Sequence, residues 1–340
     1  MVSKRLIRWS FWIILLGIIL IIICICSLCI GSVSIPIKKI IEVIFKGSGS
    51  TEYSILFDIR LPRIILGLAV GSALSISGVI LQGIFRNPLV EPYTLGVSGG
   101  AALGVCINLV LRLHKIVGTL SIPLSGFSGA VIIILLVYLA GTRKRMLKMH
   151  GLLLTGVMIS FISSSLIMLF MAISKAEDLH GIVFWIMGSL EEPNDFLINL
   201  VLLVSLFGLI ISYIFAADLN ALALGEEEAL HLGINIERTK KILFILASLL
   251  TGCAVSVAGV IGFVGLVIPH FMRMYVGTDH RILIITSALT GGTFLIICDT
   301  LARTIIAPQE LPVGVITGII GGSIFVYFLN KRTVLTRSRK

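Results

Sequence analysis

The sequence has few charged residues. Asp, Glu, Lys and Arg together make up 13% of its 340 residues, whereas hydrophobic residues make up 57%. A typical soluble domain is about 25% charged and about 45–50% apolar. A soluble protein of this length has too little interior for so many apolar side chains, so a bilayer must solvate most of the chain. The sequence therefore predicts a polytopic membrane protein and excludes a string of soluble domains.

Several motifs are also missing. No Gly-Lys-Ser or Gly-Lys-Thr phosphate loop occurs, and ten spans of about 20–22 residues leave only about 120 residues outside the membrane, too few for an ATPase domain. The six cysteines form no C-x-x-C pair with metal-ligand flanks, which indicates buried free thiols. The net charge of +10 is spread over short loops, which argues against a nucleic-acid partner.

The N-terminus carries no cleavage signal. An apolar run from Trp9 to Ile30 follows Lys4, Arg5 and Arg8, and no A-x-A pattern comes after it. The run is about as long as a bilayer span and longer than the hydrophobic region of a signal peptide. It predicts an uncleaved first transmembrane helix.

Apolar runs predict ten spans and an all-α polytopic membrane protein with one transmembrane domain over residues 1–340. The spans lie near 9–30, 62–84, 93–112, 119–141, 151–172, 196–216, 241–262, 263–276 (a short one), 282–302 and 311–329. With the N-terminus in the cytoplasm, 18 of the 27 Lys and Arg residues fall inside and 9 outside, which agrees with the positive-inside rule. We therefore expect a multi-pass cell-membrane protein with both termini in the cytoplasm.

An internal repeat is visible at an offset of 181 residues. The segment from Ala73 to Ile80 with Pro88 aligns with the segment from Ala254 to Ile261 with Pro269, matching at six of sixteen positions. The two copies fall five spans apart and so have opposite orientations. This arrangement is typical of inverted repeats in transporters, although small residues also recur in ordinary helix-packing faces.

A broken connection follows the second span. Pro88 and Pro92 lie four residues apart in the segment from Arg86 to Gly96, and two such prolines do not fit inside a regular helix. Irregular backbone at membrane depth is tolerated only where protein or a water-filled cavity covers it. We therefore expect this connection to be buried in the protein or to line a pathway.

A series of motifs runs in order along nearly the whole chain. The motifs are Arg60-Leu-Pro-Arg63, Ala73-Leu-Ser-Ile-Ser-Gly-Val-Ile-Leu-Gln82, Asn87-Pro-Leu-Val-Glu-Pro92, Leu95-Gly-Val-Ser-Gly-Gly100, Leu222-Ala-Leu-Gly225, Leu232-Gly233, Gly259-Val-Ile-Gly-Phe-Val-Gly-Leu-Val-Ile-Pro-His270, Asp279-His-Arg281 and Glu310-Leu-Pro-Val-Gly314. Their combination closely resembles the FecCD-type permease family, the membrane subunits of ATP-driven importers for iron siderophores, haem and cobalamin. The resemblance implies the inverted-repeat fold of type II ABC importer permeases.

At the outer face, the resemblance implies that Arg60, Arg63 and Arg303 dock a substrate-binding protein through glutamates on its two lobes. Each arginine lies at the edge of a predicted span, where its long side chain can extend into water. The alternatives are interfacial anchoring and an internal pair between Arg303 and Asp299.

At the inner face, the resemblance implies that a cytoplasmic loop at about 218–241 couples the permease to an ATPase. We expect two short helices around Gly225 and Gly233, with acidic residues at the positive end of the second helix. A solvated loop is the alternative. The coupling residues expected there are Leu222, Gly225, Glu227, Ala229, Leu232 and Gly233.

The resemblance also implies gates along the pathway. The cytoplasmic gate residues expected are Asn87, Leu89, Lys148, Met149 and His150, of which the last three are bulkier than the small hydroxyl residues common in relatives. The stretch from Asp178 to Asp195, with Trp185 and Met187, resembles the outer gate region.

The partners follow from the same resemblance. We expect a homodimer with the pathway between its subunits (a paired paralogue is the alternative), two ATPase subunits that bind ATP and Mg²⁺, and a substrate-binding protein outside. The chain itself is expected to be a transport subunit without enzymatic activity, bound cofactor or metal. The expected cargo is an iron–siderophore complex, with haem and cobalamin as alternatives.

Other functional classes fit the residues less well. An ion-coupled secondary transporter needs an ionisable relay in the membrane centre, and the candidates Glu91 and Asp299 both lie near span ends. A channel needs a filter motif, and none appears. His270 and His280 lack a second ligand at metal-binding spacing, which favours hydrogen-bonded structural roles.

Overall fold

The computed structural model describes residues 2–47, 49–143, 146–147, 149–192 and 194–337. The α-helices in these residues are α1 (Val2–Cys29), α2 (Ile37–Lys46), α3 (Thr51–Ser54), α4 (Leu61–Ile84), α5 (Val97–Val110), α6 (Leu113–Val117), α7 (Ser121–Gly141), α8 (Met149–Ile173), α9 (Ala176–Met187), α10 (Asp195–Ile214), α11 (Ala216–Leu224), α12 (Glu226–His231), α13 (Ile236–Ala258), α14 (Val264–Val276), α15 (His280–Ala302) and α16 (Val313–Arg337). A π-helix (Ile55–Arg60) joins α3 to α4, and a 3₁₀-helix (Pro92–Leu95) precedes α5. Two short strands, β1 (Thr142–Arg143) and β2 (Met146–Leu147), pair antiparallel between α7 and α8.

Ten of these helices correspond to the ten predicted spans, so the expected all-α membrane fold is confirmed. Among the described residues, seven helical segments are long and apolar enough to cross a bilayer, and α5, α14 and the apolar part of α16 are shorter apolar helices. The short span predicted at 263–276 is α14, which begins at Val264 and ends at Val276. The predicted span at 93–112 is divided into the 3₁₀-helix and α5.

The sequence analysis missed several shorter elements. The helices α2 and α9 occupy stretches that had been read only as outer loops, and the second span is continuous from Thr51 to Ile84 rather than from residue 62. These differences have two reasons. At 10 and 12 residues, α2 and α9 are shorter than the apolar runs that mark bilayer spans. Asp58 and Arg60 interrupt the apolar pattern before α4, so the first part of the second span is not apparent from hydropathy.

The two copies of the internal repeat lie on neighbouring antiparallel helices. Gly83, near the end of α4, packs against Leu219 of α11, and Asp218 of α11 accepts a hydrogen bond from Thr239 at the start of α13. The end of α4 therefore lies beside the beginning of α13, as an inverted repeat requires. We call this end of the bundle, which holds α11 and α12, the loop end, and the opposite end, which holds Arg63 and Arg303, the arginine end.

The helix α4 forms the centre of the bundle. Its apolar window is 83% buried, compared with 6% for the window of α1. The central position requires close approach of backbones: a Cβ atom on Gly78 would collide with the backbone of Gly265 at the start of α14. Dispersion between closely packed small residues holds such helices together where lipid offers no hydrophobic driving force.

Candidate functional site

Buried charges form a network at the arginine end. Arg63, in the first turn of α4, donates to Asp299 at 3.0 Å and to Glu310 at 2.7 Å. Arg303 donates to the other oxygen of Asp299 at 3.0 Å and to Ser27 of α1 at 2.9 Å. The side chains of Arg63, Asp299 and Arg303 are 6%, 2% and 4% exposed, whereas Glu310 is 40% exposed. Two guanidiniums and two carboxylates thus neutralise one another at the junction of α1, α4 and α15.

Arg60 is satisfied separately from this network. It lies at the end of the π-helix, and its guanidinium donates to the backbone carbonyls of Leu28 and Val33. These carbonyls belong to the last turn of α1 and to the connection that follows it. Arg60 therefore fixes the path of the chain from α1 towards α2.

These findings correct the expectation that the three arginines extend into water. Arg60, Arg63 and Arg303 are all buried in the single chain. The internal pair between Arg303 and Asp299, which the sequence analysis kept as an alternative, is present. The physical reason is charge pairing: a buried guanidinium is tolerated when carboxylates or carbonyls take its hydrogen bonds. Docking of a binding protein by these residues stays a prediction.

The two helix breaks of the inverted repeat bind each other through side chains. The hydroxyl of Tyr93 donates to the carbonyl of Ile261 at 2.9 Å and accepts from its N–H at 3.1 Å. Glu91 accepts a hydrogen bond at 2.7 Å from the N–H of Phe263, a residue with φ of 68° immediately before α14. Gln82 donates to the carbonyl of Gly265 at 3.2 Å. Side chains from the end of α4 and the break after it therefore satisfy backbone groups of the break after α13 and of the start of α14.

The sequence analysis did not single out Tyr93 or this use of Glu91. The signal available was their position between Pro88 and Gly96, in a segment already recognised as irregular. Irregular backbone needs polar partners when it is buried. That rule predicts side chains such as these, but not which backbone groups they reach.

The residues expected at the cytoplasmic gate fall in two places. Asn87 and Leu89 lie in the exposed loop after α4, where the side chain of Asn87 accepts from the N–H of Leu89 at 3.0 Å. Met149 and His150 begin α8, and Lys148 lies outside the described residues. The 3₁₀-helix (Pro92–Leu95), which follows the loop of Asn87 and Leu89, packs against α8 as α5 and α7 do, and its backbone meets Gly156.

The predicted coupling segment forms two short helices, as expected. The helix α11 ends before Gly225, which has φ of 148°, and α12 is followed by Gly233, which has φ of 80°. Leu222 and Ala229 are buried and hold these helices on the bundle, whereas Glu227 is exposed. An ion pair of 2.9 Å joins Glu226 to Lys240 of α13.

Three leucines are exposed on the surface that α11, α12 and the residue after them present to solvent. Leu224, Leu230 and Leu232 are 70%, 60% and 64% exposed. Three exposed leucines beside acidic residues form a patch that water solvates poorly and that is typical of a protein interface. We call this set the leucine patch.

Each end of the bundle also holds a cavity. One of about 600 Å³ lies beside α9 and is lined by residues that include Trp185, Ser189, Glu192 and Ser256. Burial raises the pKa of Glu192, which accepts a hydrogen bond from the N–H of Asn194 at 2.9 Å. The second cavity, of about 740 Å³, lies at the loop end. Both volumes fall in the range of about 300–1,000 Å³ that small-molecule sites occupy.

The cavity beside α9 lies in the stretch from Asp178 to Asp195, which the sequence related to an outer gate. Trp185 lines it, and Asp178 at the start of α9 receives a hydrogen bond of 3.1 Å from Arg112. Met187 is the last residue of α9, and a Cβ on Gly314 of α16 would collide with its carbonyl. The predicted gate stretch is therefore a short packed helix and the segment after it, rather than a free loop.

The described residues contain no group of three or more His, Cys, Asp or Glu side chains that could hold a metal ion. The imidazole of His280 lies 2.8 Å from the side-chain oxygen of Asn220. A hydrogen bond to α11 therefore orients this ring at the loop end.

The profile of the FecCD transport family matches residues 19–331. The chain belongs to the FecCD transport family. Members of this family are permease subunits of ABC importers, so this chain is a membrane-embedded transport subunit whose ATPase activity resides in a separate subunit.

Several relatives belong to transport systems whose names state a cargo. The FecCD permease described here is 40% identical over 288 residues to the cobalamin import system permease BtuC of Halobacterium salinarum, covering 85% of this chain and 76% of that protein. It is 37% identical over 314 residues to the hemin transport system permease HmuU of Yersinia pestis, covering 92% and 93%. It is 39% identical over 283 residues to the Fe(3+) dicitrate transport system permease FecD of Escherichia coli, covering 83% and 87%.

The fold of the FecCD permease also matches a solved structure. A metal-chelate type ABC transporter in an inward-facing conformation has a TM-score of 0.82 and 32% identity, covering 95% of this chain and 99% of that one. The type II importer permease architecture expected from the motifs is thereby confirmed.

Proposed function

We propose that this FecCD permease imports an iron–siderophore complex. A substrate-binding protein delivers the complex to the arginine end, and ATPase subunits at the loop end drive its passage. The observation that carries the proposal is that the two ends of the bundle differ. One end has a neutralised arginine network, and the other has an exposed leucine patch. Such a bundle offers different surfaces to different partners on the two sides of a membrane.

The cargo is proposed from the relatives. The Fe(3+) dicitrate permease of Escherichia coli and the metal-chelate type transporter support an iron chelate. Haem and cobalamin are the alternatives, supported by the hemin and cobalamin permeases. Cargo-dependent uptake into proteoliposomes that contain the permease and its ATPase separates these options. Uptake of a ferric siderophore with the cognate binding protein is expected, and uptake of haem or cobalamin alone would assign the alternative.

At the arginine end we propose that Arg60, Arg63 and Arg303 support docking of the binding protein. The arginine side chains are buried, which limits their direct contact with a binding protein. We therefore propose that an acidic residue of the binding protein approaches Arg63, because Glu310, the second carboxylate bound to Arg63, is the exposed member of the network. Arg60 and Arg303 act by holding the surrounding backbone and Asp299 in place. Electrostatic attraction at such a site mainly raises the association rate and falls with added salt.

At the loop end we propose that α11 and α12 bind an ATPase subunit through the leucine patch. Leu222 and Ala229 anchor the two helices from below, Gly225 and Gly233 permit the turns, and Glu227 adds an exposed charge at the interface. Two permease chains and two ATPase subunits complete the transporter, and the ATPase subunits bind ATP and Mg²⁺. Light-scattering mass measurement in nanodiscs tests this stoichiometry, and one permease chain per active complex would contradict it.

We propose further that the loop end is cytoplasmic and that this end holds both chain termini. The excess of Lys and Arg in the loops at that end supports this orientation. A membrane-impermeant maleimide is expected to label Thr51→Cys in intact cells and Arg281→Cys, at the exposed start of α15, only after permeabilisation. The reverse pattern would assign the arginine end to the cytoplasm.

The cytoplasmic gate is proposed to include Asn87, Leu89, Met149 and His150, together with Lys148. The contact of the 3₁₀-helix with α8 links the loop that carries the first two residues to the helix that carries the others. An ion-coupled secondary transporter remains the remote alternative. Vanadate inhibition of uptake, and loss of uptake when the phosphate-loop lysine of the partner ATPase is replaced, are expected for the ABC importer and not for that alternative.

A further inference from the structure

The helix α2 (Ile37–Lys46) is attached firmly to the arginine end. Its residues Ile40 and Val43 are buried in a small cluster with Ile35 and Leu56, separate from the main core of the bundle. Arg60 reinforces the attachment because it binds the carbonyl of Val33 in the connection that precedes α2. The orientation of α2 relative to the bundle is therefore set by the protein itself.

A second side of α2 is apolar and exposed. Ile37, Ile41 and Ile44 are each more than half exposed, and Phe45 is 86% exposed. At 3.6 residues per turn these four positions fall within an arc of about 100°. We call this set the exposed apolar side of α2. It adjoins the buried side and has no covering residues among the parts of the chain that the structure describes.

A third side of α2 carries charge. Positions 38, 39, 42 and 46 form an arc of about 100° that lies between the exposed apolar side and the buried side. Three lysines and one glutamate at these positions give a net charge of +2. Lys39 lies 3.7 Å from Glu42 and 3.9 Å from Glu52, whereas Lys38 is exposed and has no ion pair among the described residues. The helix therefore presents a basic edge next to its exposed apolar side.

The position of α2 along the chain places it at the membrane surface. Seven residues separate it from the end of α1. The helix α1 is a membrane span whose apolar window is only 6% buried in the protein, so α1 lies at the periphery of the bundle. Ten residues of helix extend about 15 Å, half of the hydrocarbon thickness, so α2 does not cross the bilayer. A short helix held at this depth, with an apolar side and a basic edge, has the pattern of an interfacial helix.

We propose that α2 is an interfacial anchor that binds the lipid leaflet at the arginine end. The exposed apolar side inserts at the boundary of the acyl chains, and the basic edge binds anionic phospholipid headgroups. This occupant also accounts for the charge of the segment. Anionic phospholipid headgroups attract lysine side chains near a membrane surface, which suits the net positive charge of the basic edge.

Photo-crosslinking identifies what covers α2. The full-length permease is prepared in nanodiscs of phosphatidylcholine and phosphatidylglycerol with a benzophenone amino acid at Phe45, or at Thr51 as a control. Thr51 is an exposed polar residue at the same end of the bundle and lies on α3, outside the exposed apolar side of α2. Both positions are exposed, so neither change disturbs the cluster that attaches α2. After irradiation, intact-protein mass spectrometry is expected to show phospholipid adducts at position 45 in several-fold excess over position 51.

The lipid charge is tested in the same preparation. Among the adducts at position 45, phosphatidylglycerol is expected to exceed its share of the bilayer, and Lys38→Gln with Lys39→Gln should reduce that enrichment. Lys115→Gln on α6, another exposed lysine of the same end, is the matched control and should leave the enrichment unchanged. A crosslink from position 45 to a second permease chain or to the binding protein, equal lipid adducts at positions 45 and 51, or enrichment that does not depend on Lys38 and Lys39 would overturn the proposal.

Discussion

Arg63 holds two carboxylates on different edges of its guanidinium, and they differ in exposure. Asp299 takes the Nε and Nη2 edge and is 2% exposed, whereas Glu310 binds Nη1 at 2.7 Å and is 40% exposed. Asp299 is therefore a structural partner of Arg63. Glu310 is a partner that an incoming carboxylate can replace, because it is bound from the solvent side.

This relationship predicts that Glu310→Gln strengthens docking of the binding protein. Removal of the negative charge frees Arg63 for an acidic partner and removes repulsion between that partner and Glu310. An exposed ion pair contributes about 0.2–1 kcal/mol, so an increase in affinity of up to about fivefold is expected. Surface plasmon resonance at low salt measures it. Glu52→Gln, which removes an acidic side chain of α3 outside the network, is the control, and equal or weaker binding by Glu310→Gln would contradict the prediction.

Replacement of Asp299, the buried partner of Arg63, is expected to lower the stability of the protein. Asp299→Asn leaves Arg63 and Arg303 buried with one carboxylate between them, and breaking a buried ion pair on one side costs about 3–5 kcal/mol. A clear loss of thermal stability in nanodiscs is expected. Static light scattering or intrinsic fluorescence during heating measures it. Glu310→Gln serves as the comparison because its exposed carboxylate should have a much smaller effect. Similar melting temperatures for the two variants would show that burial does not separate their roles.

Removal of the Tyr93 contact between the two helix breaks is expected to reduce local protection from amide hydrogen exchange. Tyr93→Phe deletes the hydroxyl that satisfies both the N–H and the carbonyl of Ile261. Leaving buried backbone groups unsatisfied costs about 1–3 kcal/mol. Amide hydrogen exchange in the segment 259–263 is expected to accelerate. Tyr213→Phe, on the exposed surface of α10, is the matched control and should change nothing there. Unchanged exchange in the Tyr93 variant would mean that the Tyr93 hydroxyl does not hold the two breaks together.

The turn before α12 predicts a defect in assembly with the ATPase. Gly225 has φ of 148°, a conformation that β-branched residues rarely adopt. Gly225→Val should displace α12 and the leucine patch while leaving the ten spans inserted. The variant is expected to lose its ATPase during co-purification or to retain it without transport. Gly17→Val, at an unconfined position of α1, is the control. Normal ATP-driven uptake by Gly225→Val would remove the basis for coupling at this site.

Most of the architecture was predictable from the sequence because the bilayer enforces it. A span needs about 20 apolar residues, and unpaired backbone groups are excluded from lipid, so apolar runs directly predicted the ten spans. The glycines of the coupling segment predicted its two turns, since few other residues adopt such φ values. Shorter elements such as α2 and α9 escaped, because no bilayer-length pattern marks them.

The amino-acid sequence by itself determined the number of spans, the repeat, the position of the broken connection and the family motifs. Only the tertiary structure decided what the polar residues in those motifs bind. Arg63 and Glu310 are 247 residues apart, as Tyr93 and Ile261 are 168 apart, and hydropathy and spacing are local properties that carry no information about such pairs. Partner choice inside a membrane protein depends on which helices lie side by side, because each buried charge or backbone group takes its hydrogen bond from whichever polar group the packing brings within about 3 Å.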